Sequence, residues 1–199
     1  MAQFGFSRMT INRALRELTD EGLLVRLQGV GTFVAEPKGQ SALFEVRSIA
    51  EEIASRRHQH RCEVLLLEET QADLIQAAAL NVAAGTRIFH SLMVHFENDI
   101  PVQIEDRCVN AAVVPAYLHQ DYTVTTPHDY LSLIAPLTEG EHIVEAVQAS
   151  GKECELLHIH AHDPCLLIRR RTWSATHIVS HARLLFPGSR YRLQGHFTS

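Results

Sequence analysis

Two sets of polar side chains in this sequence have the types and the spacing to do chemistry. The first lies just inside the N-terminus. In a helix opening after Ser7, Ile11, Ala14, Leu15 and Leu18 fall on one face, and Met9, Thr10, Asn12, Arg13 and Arg16 on the other. Two arginines, an asparagine and a threonine hydrogen-bond base edges and phosphates, so this outward face is suited to a major groove. The second set lies mid-chain. Strand alternation from Thr86 to Phe96 puts Phe89, Ser91, Met93 and His95 on one face, and Gln103, Glu105 and Arg107 share a face of the returning strand. If the two faces coincide, His95, Glu105 and Arg107 converge on a place where a small polar ligand can be held. A half-solvated antiparallel sheet would alternate in the same way.

The elements that must position these groups can be read around them. Ser7 is placed as N-cap, accepting from the N–H of Met9 or Thr10, and Gly22 ends the helix. A ribbon follows, Leu23 to Val25 running into Arg26–Gly31 and then Thr32–Val34. Gly29 and Gly31 let its tip turn and approach a phosphate or minor groove closely. These parts make most of a winged helix-turn-helix over residues 1–36. Residues 37–41, with Pro37 and Gly39, read as a polar linker, and residues 42–199 as a second domain.

In that second domain a helix is expected from Ser41 to about His58. Then come a strand at Cys62–Leu67, a helix at Gln71–Leu80 closed by Asn81, and the hairpin Thr86–Phe96 and Pro101–Asn110 turned by Asn98-Asp99. Thr126-Pro127-His128-Asp129 is a helix start with Thr126 as N-cap. A helix near Lys152–His158 and a hairpin over Leu166–Ser174 and Ile178–Phe186 weakly repeat the earlier pattern, which predicts two similar hairpins in one antiparallel sheet and an α+β class.

The net charge of −5 conceals an asymmetry. Up to Gly39 five Lys/Arg stand against four acids, and the remainder has 13 against 19, so only the first segment suits a polyanion. No apolar run approaches the roughly 18–20 residues of a membrane span and no signal-peptide pattern opens the chain, so no membrane association and a cytoplasmic location are expected. Cys62, Cys108, Cys154 and Cys165 are widely spaced and read as free thiols. His158, His160 and His162 alternate, but no carboxylate or thiol stands at ligand spacing, so neither metal nor cofactor is expected. Arg169-Arg170-Arg171 lies within a strand with its members on opposite faces, a solvated or dimer-facing edge. With no nucleophile elbow, metal-binding helix motif or phosphate loop, the chain does not read as an enzyme.

The run SRMTINRALRELTDEGLLVRLQGVGTFV resembles the DNA-binding domain of the GntR family of bacterial regulators, in its HutC branch. Ser7-Arg8-Met9-Thr10, Asn12-Arg13-Ala14-Leu15 and Gly29-Val30-Gly31-Thr32 carry the likeness. It implies operator DNA as partner, met by Ser7, Arg8, Thr10, Asn12 and Arg13 from the helix and by Gly29 and Gly31 from the wing. The family has further helical structure before the turn, where this chain has only Met1-Ala2-Gln3. An N-terminal truncation that weakens DNA binding is therefore expected. From Arg61 onward the pattern resembles the effector-binding UTRA domain, which implies a chorismate-lyase-like fold, a homodimer formed through this domain, and a cleft drawing on Met93, His95, Glu105, Thr126, Ser180 and Phe186.

The stretch FHSLMVHFENDIPVQIEDRCVN resembles most the HutC members that govern histidine utilisation, implying urocanate as effector. Relatives that sense sugar phosphates carry arginines where Met93 and His95 stand, which argues against a phosphorylated ligand. On this reading Glu105 accepts from the imidazole ring, Arg107 or a backbone amide holds the carboxylate, and Phe89 or Met93 covers the ring. The expected function is a repressor released from its operator by urocanate. The alternatives are a ligand-binding dimerisation module without effective DNA binding, and a chorismate-lyase-like enzyme.

Overall fold

A computed structural model describes residues 7–20, 24–27, 31–34, 39–42 and 46–194. The chain divides into two compact units, Met1–Lys38 and Gly39–Ser199.

In the first unit α1 (Arg8–Asp20) precedes β1 (Leu24–Leu27) and β2 (Gly31–Val34), which pair antiparallel from Leu24↔Val34 to Leu27↔Gly31. Ser7 Oγ accepts from the Thr10 N–H at 3.2 Å, so the cap forms as its residue type dictates. Ile11, Leu15 and Leu18 share a face of α1 yet remain 42, 37 and 36% exposed, so the apolar stripe buries little among the described residues. The helix end at Gly22 and the ribbon tip at Gly29 lie outside the described residues.

The second unit is built on an antiparallel sheet flanked by short helices, an α+β arrangement. In chain order it comprises β3 (Gly39–Ala42), α2 (Ile49–Ser55), β4 (His60–Gln71), α3 (Leu74–Leu80), β5 (Arg87–Glu97) and β6 (Ile100–Asn110). A 3₁₀ turn at Tyr117–His119, α4 (Pro127–Ile134), β7 (Glu139–Gln148), α5 (Gly151–Leu157), β8 (Pro164–Ser174), β9 (His177–Pro187) and β10 (Tyr191–Gln194) follow. The main sheet runs β4-β5-β6-β9-β8-β7. Its two halves are each a strand, a helix and a hairpin, and they meet at β6 and β9, so the weak repeat in the sequence becomes a near-symmetric sheet. The repeat extends to the caps. Asp73 and Ser150 each open their helix with a reciprocal capping box, and Asn81 and His158 each close theirs in the left-handed conformation.

Two expectations are corrected here, and one strand was not foreseen. The segment read as a helix from Ser41 instead opens within β3, which pairs in parallel with β10 from Gly39↔Tyr191 to Ala42↔Gln194, and α2 begins only at Ile49. The backbone of residues 39–42 is claimed by a strand some 150 residues away, which no local pattern announces. β4 extends to Gln71, so the following helix starts at Leu74. β7 has no counterpart in the sequence reading, because an edge strand with mostly exposed side chains lacks the apolar alternation that marks strands.

One sheet face packs Val94, Ile104, Leu167 and Leu185 with Leu157 of α5. The opposite face is covered in two parts. Ile49 and Ile53 of α2 lie over Ile168, Ala182 and Leu184, while Tyr117, Tyr122 and Leu131 lie over Phe89, Met93 and Val109. Between these coverings the polar side chains of the sheet remain. Among the described residues no helix is long and apolar enough to cross a membrane.

Candidate functional site

The register shows why the polar residues meet. Met93 pairs with Glu105 and Ser91 with Arg107; on the far side Glu105 pairs with Leu184 and Arg107 with Ala182. Ala182 pairs in turn with Arg170 of β8. Residues paired across a sheet point to the same side, so Ser91, Arg107, Ala182 and Arg170 form one row and Met93, Glu105, Leu184 and Ile168 the next.

Arg107 donates through Nε to Glu105 Oε1 at 2.7 Å and through Nη1 to Ser180 Oγ, also at 2.7 Å. Ser180 lies 2.9 Å from the Thr172 hydroxyl. His95 Nε2 stands 3.5 Å from Glu105 Oε2, an ion pair rather than a short hydrogen bond, and its Nδ1 lies 3.0 Å from His60 Nε2 with the rings stacked. His95, Glu105, Arg107 and Ser180 are all buried. Burial alone would raise the Glu105 pKa, but Arg107 and His95 outweigh it and hold the carboxyl well below the usual carboxylate range. Burial alone would lower that of His95; Cys62 and Glu105 outweigh it and hold the imidazole up to about 9. His60, pushed down to about 4 by burial and by His95, stays neutral and can accept the His95 proton in a hydrogen bond. At neutral pH the sheet therefore presents an ionised Glu105 fixed between two cations.

This network borders a cleft of two lobes, of roughly 340 and 350 Å³ counting their solvent-filled mouths. The lobes share Arg107, His128 and Arg170. The first adds Glu105 and Gln103 from β6, Thr126 from the start of α4, Arg47 and Glu52 from around α2, and Leu184, Phe186 and Tyr191. Thr126 caps α4, accepting from the Asp129 N–H at 3.1 Å, and its hydroxyl also lies 3.2 Å from that of Ser48. Phe186 and Tyr191 stack with centroids 3.8 Å apart and form an apolar wall.

Of the residues singled out for an effector, Glu105, Arg107, Thr126 and Phe186 line the cleft. His95 and Ser180 do not line it but hold Glu105 and Arg107 from behind. Phe89 and Met93 belong to the core: Met93 is fully buried, and Phe89 stacks on Tyr117, whose hydroxyl is 2.8 Å from Ser91. Alternation put both on the correct face, but the segment after β6 folds over that end and seals it. A ring in the cleft would instead meet Phe186 and Tyr191.

Sequence reasoning missed Arg170 and His128. The arginine run does not form the expected edge, since β8 lies between β9 and β7; Arg169 and Arg171 are on its solvated face, bonded to Glu145 at 2.8 Å and to Glu141 at 2.7 Å. Arg170 between them is 7% exposed and faces the cleft. The signal was present in the strand period, which sends the middle of three consecutive arginines to the opposite face. His128 is pushed down by burial and by Arg107 and Arg170, so it is neutral at neutral pH.

In the first unit Ser7, Thr10, Asn12 and Arg13 are exposed on α1, with Arg13 held by Glu17 at 2.9 Å. Arg8 lies in α1, with its side chain outside the described residues, as is Gly29. Gly31 opens β2 at φ +148°, a conformation side-chain-bearing residues rarely adopt. Among the described residues no group of three His, Cys, Asp or Glu side chains is placed to hold a metal ion, and the four cysteines are buried free thiols.

A helix-and-ribbon unit joined to a sheet with a charged cleft defines a class, the ligand-sensing transcriptional regulators. The UTRA domain model matches residues 55–192, and the model for bacterial regulatory proteins of the gntR family matches residues 1–34. The chain belongs to the GntR family, in its HutC subfamily. It is 88% identical over 199 residues to the histidine utilization repressor of Klebsiella aerogenes, covering all of this chain and 83% of that protein. To the histidine utilization repressor of Pseudomonas aeruginosa it is 67% identical, covering all of this chain and 80% of that protein. The crystal structure of the C-terminal domain of the Pseudomonas syringae pv. tomato histidine utilization repressor superposes with a TM-score of 0.68 at 61% identity, covering 71% of this chain and all of that one. PhnF from Mycobacterium smegmatis, at 23% identity, shares the fold with a TM-score of 0.83 over 99% of this chain and 88% of that one. The histidine utilization repressors among these are named as repressors, and the chain is a transcriptional regulator rather than an enzyme.

Proposed function

We propose that this chain is a DNA-binding repressor of histidine-utilisation genes, released from its operator when urocanate enters the cleft. The relatives named as histidine utilization repressors support the regulatory role. The observation that carries the ligand is Glu105, ionised on the cleft floor between Arg107 and His95, which is an acceptor for an imidazole N–H. Phe186 and Tyr191 supply the apolar wall such a ring needs.

In this reading Ser7, Arg8, Thr10, Asn12 and Arg13 of α1 and Gly29 and Gly31 of the wing meet the operator. Residues 1–36 read DNA, 37–41 connect, and 42–199 sense ligand and dimerise in the cytoplasm. A homodimer through the second domain is supported by apolar side chains left exposed there, including Leu133, Ile134, Ile143 and Val144. Effector binding and DNA release are then two sites coupled by about 1–3 kcal/mol, or roughly 5–150-fold in affinity.

The test is titration of a labelled histidine-utilisation promoter fragment with and without urocanate. A weakening within that range is expected, and unchanged DNA affinity at saturating urocanate refutes the reading. The exposed stripe of Ile11, Leu15 and Leu18 favours a second reading, in which this chain alone binds ligand but grips DNA poorly. Urocanate raising the thermal midpoint with no fragment bound in either state would decide for it.

A further inference from the structure

Arg107 already gives Nε to Glu105 and Nη1 to Ser180, which leaves Nη2 as its one nitrogen not so engaged. The other deeply placed cation of the cleft is differently situated. Arg170 is 7% exposed and lines both lobes, and its Nε donates to His142 Nε2 at 2.7 Å. Among the described residues no carboxylate pairs with it, and no protein acceptor takes its terminal nitrogens. Its neighbours on β8 each have a glutamate, so Arg170 alone of the three buries its charge without one. A guanidinium taken out of water costs several kcal/mol unless an anion and hydrogen bonds compensate. The strain shows in its pKa, pulled down to about 10 by burial and by Arg107.

The surroundings define what would compensate. The first lobe is lined by three guanidiniums, Arg47, Arg107 and Arg170, and two carboxylates, Glu52 and Glu105, and the His95 imidazolium stands behind Glu105, so cations outnumber carboxylates there. His128, neutral and lining both lobes beside Arg170, adds a ring N–H donor without adding charge. Ala182 stands between Arg107 and Arg170 in the same cross-strand row, so the sheet floor between the two cations carries only a methyl group. Two inter-strand steps separate those arginines, about 10 Å. That leaves Glu105 and Arg170 as opposite poles of one slot.

We infer that Arg170 is the anion anchor of the cleft, its terminal nitrogens and the His128 ring taking the single carboxylate of a monoanionic ligand whose other end meets Glu105. The ligand's identity rests on the effector reading above; the anchor itself does not.

Calorimetry and thermal unfolding of the whole protein test this with three probes: urocanate, its uncharged methyl ester, and acetate. R170Q should bind urocanate about 30-fold more weakly, or roughly 2 kcal/mol at 1.4 kcal/mol per decade, and bind the ester as the parent protein does. Acetate should raise the parent's midpoint and leave that of R170Q unmoved. R170K keeps the charge but not the planar fork, and should recover part of the affinity for urocanate. If the parent ignores urocanate while the acetate effect still depends on Arg170, the effector reading fails and the anchor stands. The anchor is overturned if R170Q loses urocanate and ester equally, if it keeps urocanate or the acetate response, or if acetate does nothing to the parent. Should R170Q not fold, R170K decides: a selective loss for urocanate supports the anchor, and an equal loss, or none, overturns it.

Discussion

Titrating the protein upward from about pH 6 should remove a proton from an imidazole that no water reaches. His95 is fully buried, and its folded pKa is held at about 9 against an ordinary 6.5. A pKa raised in the folded state means that the native protein binds the proton more tightly than the unfolded chain does. The resulting stability is fully present below pH 6.5, declines as pH rises, and is gone above about pH 9. The shift corresponds to about 3 kcal/mol, to order of magnitude, since one unit is 1.36 kcal/mol. The groups facing His95 are His60 and Cys62 of β4 and Glu105 of β6. Of these His60 titrates far lower and Glu105 lower still, so neither changes charge in this window, and Cys62 is present in both the parent and H95Q, so a thiol's own ionisation enters both curves. His90 is also raised, by its hydrogen bond to Asp106 against a smaller opposing effect of burial, and contributes with the same sign. It is therefore the difference between the parent protein and H95Q that isolates the buried pair. Urea unfolding across this range should show the parent losing about 3 kcal/mol more than H95Q. Parallel curves would mean that His95 is neutral in the native state, and the charged floor of the cleft would have to be abandoned.

Two further perturbations probe the floor and the frame. Ala182→Leu places a branched side chain between Arg107 and Arg170; calorimetry should show urocanate binding weakened at least tenfold, with stability lowered by about 1–3 kcal/mol from overpacking, whereas unchanged affinity would place the ligand away from β9. His158→Gly relieves a left-handed residue at φ 50° and should raise stability by about 0.5–1 kcal/mol, seen as a calorimetric midpoint up by roughly 2–3 °C; a fall would show that the His158 side chain contributes more than its backbone costs.

What could be read from the sequence divides along one physical line. Features set by local chemistry were legible: the Ser7 cap, the two-faced α1, the hairpin turned at Asn98-Asp99, the Thr126 helix start, and the shared face of Glu105 and Arg107. Features set by distant backbone were not. The β3–β10 pair joins residues 39–42 to 191–194 through main-chain bonds that no side-chain pattern encodes. β7 is a polar edge strand held by its neighbour. Phe89 and Met93 show the same limit from the other side. Alternation fixes which face they point to, but only the chain crossing above them, with Tyr117, decides whether that face is cleft or core.

The distinction between cleft and core is itself an energetic one. A sheet that buries Arg107, Glu105, His95 and Arg170 gives up hydration that apolar side chains at those positions would not need, and well-packed apolar replacements of such groups are often neutral or stabilising. Stability therefore does not account for Arg170, whereas differential binding does: a ligand acts on a protein only through contacts that differ between two states, and an uncompensated cation supplies such a difference. The cleft wall also has a mechanical neighbour. Tyr191, which lines the first lobe and stacks on Phe186, begins β10, and its register partner is Gly39, the first residue of the second unit. A ligand packed against Tyr191 thus bears on the strand pair that includes the residue where the chain leaves Met1–Lys38. The coupling of about 1–3 kcal/mol that the proposed release requires is no larger than one to three hydrogen bonds of a four-residue ladder at about 1 kcal/mol each, which is the scale of the β3–β10 pairing.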